Sequence, residues 1–403
     1  VPTDDTGRWR GILSETALVL SEAVGLSAEE AEVLVAPADL EGLSIEEATA
    51  ELPEGFRAAL SLAALSEAAW GVEAWKPLLS ALGEGVRRFL HGRRRAIAVT
   101  GRRGSGRGSL LNRVVELAQD DPQLKIHRLV IENGCVEEGA FLSALSRLLE
   151  LPSKPTPAVV ERQLLEGSRR VIIVERAHHL YMRRIGGFAA LREALTLLAA
   201  TLDNVLWVWE VDGFAWDYLH QIHQVGGYFD QVLTAPLLEE AALRGLFTSR
   251  LESLSQTFPV QILSPRELDE AQRKRWKSEG FFSRLHQTSR GNLEAAGILF
   301  CRATRWSKEL GRGLVLPIPV IPFDEALASY PRTSHLALAM LVEHEVLSRR
   351  ELEGLLLLSS GHAQTILDTF ARHSVVSLVS GGYQVNAPWL EAIHDHLAKW
   401  SIL

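Results

Sequence analysis

Cysteine is nearly absent from this chain: Cys135 and Cys301 are the two present among 403 residues. Two thiols cannot make a disulfide framework, and no Cys/His pairs stand at metal-ligand spacing, so a reducing compartment fits best. Long apolar runs are missing too. No stretch reaches about 18 consecutive apolar residues, the length a membrane-spanning helix requires. The opening VPTDDTGRWR lacks the basic-then-apolar order of a signal peptide, and a cytoplasmic setting is the expectation. Positive charge is in short supply. The formal net charge is −8, which argues against a dedicated nucleic-acid binder while leaving room for a local basic patch. No internal repeat or low-complexity tract is visible.

What is present is enough apolar material for sizeable cores, at 47% of residues. The length exceeds one ordinary core and implies two or three domains. Residues 1–69 are rich in Ala, Leu and Glu and read as a helical segment, broken near Pro53. Trp70 and Trp75 open the next helix. From Ala96 the pattern changes. Short apolar runs at Ala96–Thr100, Ile126–Ile131, Val171–Val174 and Val205–Val211 alternate with helical spacings at Leu110–Leu117, Glu138–Leu149 and Phe188–Ala200. That alternation predicts an α/β fold, a parallel sheet with helices on both faces, over residues 70–236.

Residues 237–314 read as a helical lid, with helices at Leu237–Arg250 and Phe281–Trp306 and one strand at Val260–Leu263. Residues 315–331, containing VLPIPVIPF, read as an extended linker. Residues 332–403 give helices at Ser334–Glu343, Ser348–Leu357 and Gly361–His373, a hairpin turning at Gly381-Gly382, and a last helix at Pro388–Lys399. Three helices and a wing are a winged-helix pattern.

The chemistry concentrates in GRRGSGRGS, Gly101 to Ser109, between the first strand and its helix. Strand, glycine loop and helix are the arrangement of a phosphate-binding loop, in which glycines let backbone N–H groups point at the phosphates and the helix N-terminus adds partial positive charge. Gly101, Gly104 and Gly106 fit, with Ser105 between them. The position that should be lysine is Arg107, whose planar fork keeps the charge but not the shape. The position that should offer a hydroxyl to Mg²⁺ is Gly108, and Ser109 lies about 100° further round the helix. The loop either holds nucleotide or folds as a relic that binds none.

The third strand ends in Glu175-Arg176, where an active P-loop enzyme has Asp then Glu. Glu175 has the length to reach Mg²⁺ through a water. Arg176 cannot act as a base, its pKa being above about 12, and losing a positioned base costs about 10² to 10⁴ in rate. Glu210 and Asp212 close the fourth strand, where open α/β sheets place ligand-facing groups. Trp207, Trp209, Phe214 and Trp216 read as packing, and His178 and His179 as helix-start or packing residues.

In order, AIAVTGRRGSGRGSLLN, RRVIIVERAHHL, VLWVWEVDGFAW, SRGNLEAA and the winged-helix end resemble the AAA+ superfamily, in the branch of replication-initiator and transposon-associated ATPases. The resemblance covers about residues 70 to 400. It implies ATP or ADP as ligand, with Mg²⁺, and assembly into a homo- or hetero-oligomer. It makes Asp212 and Asn292 sensor candidates, and Arg244 or Arg250 candidates for an arginine finger acting across a subunit interface. The sensor arginine that usually follows Gly-Asn is replaced by Leu293-Glu294. The expectation is a nucleotide-binding subunit with weak or absent hydrolysis, meeting protein partners through the winged helix and the N-terminal helices. The helix Gly361–His373 holds one arginine and no lysine, so DNA is the less favoured partner. A nucleotide-free scaffold is the third reading.

Overall fold

The computed structural model describes residues 52–60, 73–119, 121–151, 156–265, 268–307, 310–318, 321–400 and 402. Of the N-terminal helical segment expected over 1–69, only α1 (Glu54–Leu60) and the two residues before it fall within that set. Among the described residues, no helix is long and apolar enough to cross a membrane.

Five strands form the central sheet: β1 (Ala96–Gly101), β2 (Lys125–Val130), β3 (Arg170–Glu175), β4 (Val205–Glu210) and β5 (Gln231–Ala235). Their order is 2-3-4-1-5, and every neighbouring pair is parallel. A parallel strand covered on both faces needs apolar side chains at every position, and all six residues of β4 are buried. Its side chains divide by the two-residue period of a strand. Trp207 and Trp209 pack with Phe141, Leu145 and Leu198 on one face. Leu206 and Val208 pack with Val86, Phe89 and Leu110 on the other. Helices α2 (Lys76–Leu90) and α3 (Arg107–Gln119) cover this second face, while α4 (Ala140–Leu148), α5 (Pro157–Leu165) and α6 (Ala189–Thr201) cover the first. The chain leaves β4 into α7 (Gly213–His223). The packing role expected for the four aromatics holds, with Trp207, Trp209, Phe214 and Trp216 all buried.

The segment expected as a lid contains α8 (Glu240–Leu254), α9 (Glu270–Arg275), α10 (Phe281–Ser289) and α11 (Leu293–Ala303), with a small sheet of β6 (Val260–Ile262), β7 (Thr304–Ser307) and β8 (Arg312–Val315). The single helix expected over Phe281–Trp306 is therefore two helices and a strand. It breaks at Arg290 and Gly291, whose φ angles are 52° and 80°. The Leu238 N–H donates to the Gly291 carbonyl at 2.9 Å, and a Cβ on Gly291 would strike the Leu238 backbone, so only glycine admits that approach. Phe56, Trp75, Phe247, Phe281 and Phe300 form the lid's core. Trp75, expected in the 70–236 unit, thus packs with the lid.

The C-terminal unit runs α12 (Phe323–Ala328), α13 (Arg332–His344), β9 (Val346–Leu347), α14 (Arg349–Leu356), α15 (Ser360–Arg372), β10 (Val376–Val379), β11 (Gly382–Val385) and α16 (Ala387–Lys399). Its three strands lie in the order 10-11-9, with antiparallel pairing. Ser348 and Glu351 make a reciprocal capping box at the start of α14. The expected linker is not wholly extended: Phe323 and Leu327 of α12 join the core of this unit. Val136, Met182 and Phe214 join the same core, so the unit docks directly on the sheet domain.

Phe370 is fully buried in that core, whereas Leu378 on the hairpin is 73% exposed. Phe370→Ala should cost about 3–5 kcal/mol and Leu378→Ala no more than about 0.5 kcal/mol. Chemical denaturation of the two variants measures the difference.

Candidate functional site

The glycine loop sits at the C-terminal end of β1, as its sequence context requires. Gly101, Gly104 and Gly106 all have positive φ, at 136°, 82° and 94°. Only glycine takes such angles without strain, and a Cβ at Gly106 would also collide with the ring of Trp75. The Ser109 N–H donates to the Gly106 carbonyl at 3.0 Å, and α3 begins at Arg107. The main-chain shape of a phosphate cradle is therefore present.

The side chains around it are a different matter. Arg107 is 7% exposed. Its Nε lies 2.9 Å from Glu210 Oε1, and its Nη1 lies 3.4 Å from Asp212 Oδ2. That second contact is a charge contact without a formed hydrogen bond, since Nη1 has no hydrogen-bond partner. Burial opposes the charge on Arg107, but Glu210, Asp212, Glu345 and Glu294 together outweigh it and raise its pKa. Burial raises the pKa of Asp212, against the pull of Arg107. The carboxylates are fixed by backbone. Glu210 Oε2 accepts the Arg176 N–H at 2.7 Å, and Asp212 caps α7 by accepting the Phe214 N–H at 3.0 Å.

The lid and the C-terminal unit close on the loop from outside. Asn292 caps α11 by accepting the Ala295 N–H at 3.1 Å, and its Nδ2 donates to the Arg103 carbonyl at 2.8 Å and to Glu391 Oε1 at 3.2 Å. The Glu294 N–H donates to the Gly104 carbonyl at 3.3 Å, and Glu294 Oε2 lies 3.4 Å from Arg103 Nε. A Cβ on Gly104 would meet both Asn292 and Glu294. Arg102 donates to Glu391 at 3.1 Å and lies over the Phe214 ring, 4.3 Å from its centroid. Arg103 also donates to the Val385 carbonyl, and Arg290 pairs with Asp395.

Each residue expected to serve nucleotide thus has a place, and several have another occupation. Ser105 is buried with its hydroxyl unpartnered. Gly108 supplies no hydroxyl, and Ser109 is buried in the first turn of α3. Glu175 pairs with Arg128, Nε to Oε1 at 2.7 Å. Asp212 and Asn292 are helix caps in internal contacts. Arg250 is buried in the lid, where burial lowers its pKa. Arg244 is half-buried on the same helix. As a test of fit, the backbone suits a polyphosphate. The side chains do not suit a Mg²⁺-bound triphosphate: the metal hydroxyl is missing, the cation is neutralised from within, and Glu294 crowds the loop.

Sequence reasoning missed Glu294, Glu391 and Glu345. Glu294 alone carried a signal, as an acid standing where the resemblance implies a sensor arginine. The other two come from a unit more than two hundred residues away in sequence. His178 and His179 are buried in a turn after β3. Burial pushes His179 down to about 3, so its ring is neutral.

No family model and no curated protein matches the chain. Solved structures similar to it include an Aeropyrum pernix ORC2 protein in ADPNP–ADP complexes, 16% identical, covering 82% of this chain and 95% of that one with a TM-score of 0.43. An Aeropyrum pernix ORC1 protein in complex with DNA is 14% identical, covering 82% and 94% with a TM-score of 0.43. Cdc6p from Pyrobaculum aerophilum is 13% identical, covering 82% and 95% with a TM-score of 0.37.

Arg107→Ala would strand two buried carboxylates and should cost about 3–5 kcal/mol. Adding Glu210→Gln and Asp212→Asn should recover part of that loss. Urea denaturation of the single and triple variants tests the pairing.

Proposed function

We propose that this protein is a P-loop scaffold of the AAA+ kind that does not hydrolyse nucleotide, and that its own carboxylates take the place of phosphate on the loop. The observation that carries the reading is Arg107, buried between Glu210 and Asp212. A triphosphate brings negative charge to a site already lined by Glu210, Asp212 and Glu294. To bind there, ATP or ADP must draw Arg107 from its partners and lift Glu294 from Gly104. Nucleotide binding and internal closure therefore compete, and any switch in the molecule runs through that competition.

The absence of catalysis follows from chemistry. Gly108 cannot ligate Mg²⁺, Glu175 is engaged by Arg128, and Arg176 cannot take a proton from water. The work left to such a protein is assembly. The exposed face of α15 presents Arg372 together with Asp368, and Asp368 accepts from Gln364 at 2.7 Å. With no surplus of positive charge for phosphate contacts, that face suits a protein partner better than duplex DNA. Homo- or hetero-oligomer formation, with Arg244 facing a neighbour, belongs to the same reading.

Phosphate release from Mg²⁺-ATP should stay at the uncatalysed background, and millimolar ATP should give none of the stabilisation of about 2.7 kcal/mol that a ligand at a hundredfold excess over Kd supplies. Turnover in the ordinary range of about 1–10³ s⁻¹, abolished by Arg107→Ala, would overturn the proposal.

A further inference from the structure

Where the C-terminal unit meets the sheet domain, three ligand-type side chains converge. His178, His179 and Glu345 each offer one ligand atom, and these atoms lie within 4.8 Å of one another. The site is enclosed: the side chain of His178 is fully buried and that of Glu345 is 10% exposed, and His179 is 4% exposed.

The ring of His179 is set as a ligand. Its Nδ1 lies 3.1 Å from the Ile131 carbonyl oxygen. A carbonyl only accepts, so Nδ1 carries the proton and Nε2 keeps a lone pair. Metal-ligating histidines are oriented by this kind of outer hydrogen bond. His179 Nε2 is buried and has no hydrogen-bond partner, which the packing of this interface does not otherwise explain.

Glu345 is delivered by an unusual backbone. It joins α13 to β9 with φ 63° and ψ −52°, a conformation that costs a non-glycine residue free energy and persists where the surroundings hold it. Two contacts hold it: Oε2 lies 2.8 Å from His178 Nε2, and Oε1 accepts from Gln384 at 3.2 Å.

We propose that His178, His179 and Glu345 bind a divalent transition-metal ion of the zinc type, which fastens the C-terminal unit to the sheet domain. Two imidazoles and one carboxylate form a set suited to Zn²⁺, Co²⁺ or Ni²⁺ rather than to Mg²⁺. With metal–ligand distances of about 2.0–2.2 Å, tetrahedral ligand atoms stand about 3.3 Å apart. The cluster reaches that spacing by small side-chain movements. His178 Nδ1 now accepts the Asp212 N–H at 3.3 Å, so its Nε2 carries the proton directed at Glu345. On loading, the metal takes the place of that proton on Nε2. The proton moves to Nδ1, the ring stays neutral, and the long contact from Asp212 is given up. Loading would therefore be felt, through His178, at Asp212, which lies against Arg107.

The test uses the full chain, stripped with chelator and then titrated with Co²⁺ or Zn²⁺. One ion per chain by elemental analysis and the absorption of tetrahedral Co²⁺ are expected. His179→Gln and Glu345→Gln, each verified as folded by circular dichroism, should weaken binding on the order of 100-fold or more. His179→Gln is the informative variant should Glu345→Gln not fold, because the one hydrogen bond described for its side chain goes to the Ile131 carbonyl. A wild-type chain that takes up no ion, or a folded His179→Gln that binds with unchanged affinity, would overturn the proposal and leave a buried His178–Glu345 hydrogen bond.

Discussion

A guanidinium out of water must be neutralised, and that requirement organises the centre of this molecule. Arg107 stands at the start of α3, where burial leaves it 7% exposed. The desolvation of such an ion costs several kcal/mol unless partners stand close. Glu210 and Asp212 meet the demand, and each is locked by an N–H from a neighbouring turn. The ends of β3 and β4, the start of α7 and the glycine loop are thereby bound into one electrostatic cluster. A lysine at the same place would be a compact ammonium without the fork that spans two carboxylates. The departure from the usual P-loop sequence and the acids at the end of β4 are two halves of one arrangement.

Around that cluster the lid and the C-terminal unit close by matched charge. Arg102, Arg103 and Arg290 reach outward and find Glu391, Glu294 and Asp395. Pairs of this kind contribute modestly when solvated. Their value here is directional: Arg102 ties the C-terminal unit to the loop, Arg103 ties Glu294 to it, and Arg290 joins the end of α10 to α16. The apolar contacts of Val136, Met182 and Phe214 with the C-terminal core supply the non-directional part.

Much of the architecture was legible because buried parallel strands and capped helices write strong local patterns. The apolar runs at Val171–Val174 and Val205–Val211 and the helical spacing at Ser348–Leu357 and Gly361–His373 placed their elements within a residue or two. β5 was not legible: as an edge strand it buries only Leu233 and Ala235, so it has no continuous apolar run. The break at Arg290-Gly291 was read through because helical spacing continues on both sides, and only contact with Leu238 reveals why the chain must turn. The glycine loop was legible in sequence as a cradle. Its closure was not, because Glu345 and Glu391 belong to a separate unit and acquire meaning only when that unit docks. His178 and His179 read as packing residues for the same reason, with Glu345 placed 167 positions from His178 in the chain.

Asn292 bonds at once to its own helix, to the glycine loop and to α16. One amide is thus a pin through three bodies. A lid cannot swing about a hinge whose pin is also fastened to the frame, so any rotation of the lid must begin by withdrawing this side chain. Arg102 and Arg103 also tie the loop to the C-terminal unit, but Asn292 is the side chain whose bonds reach all three bodies at once.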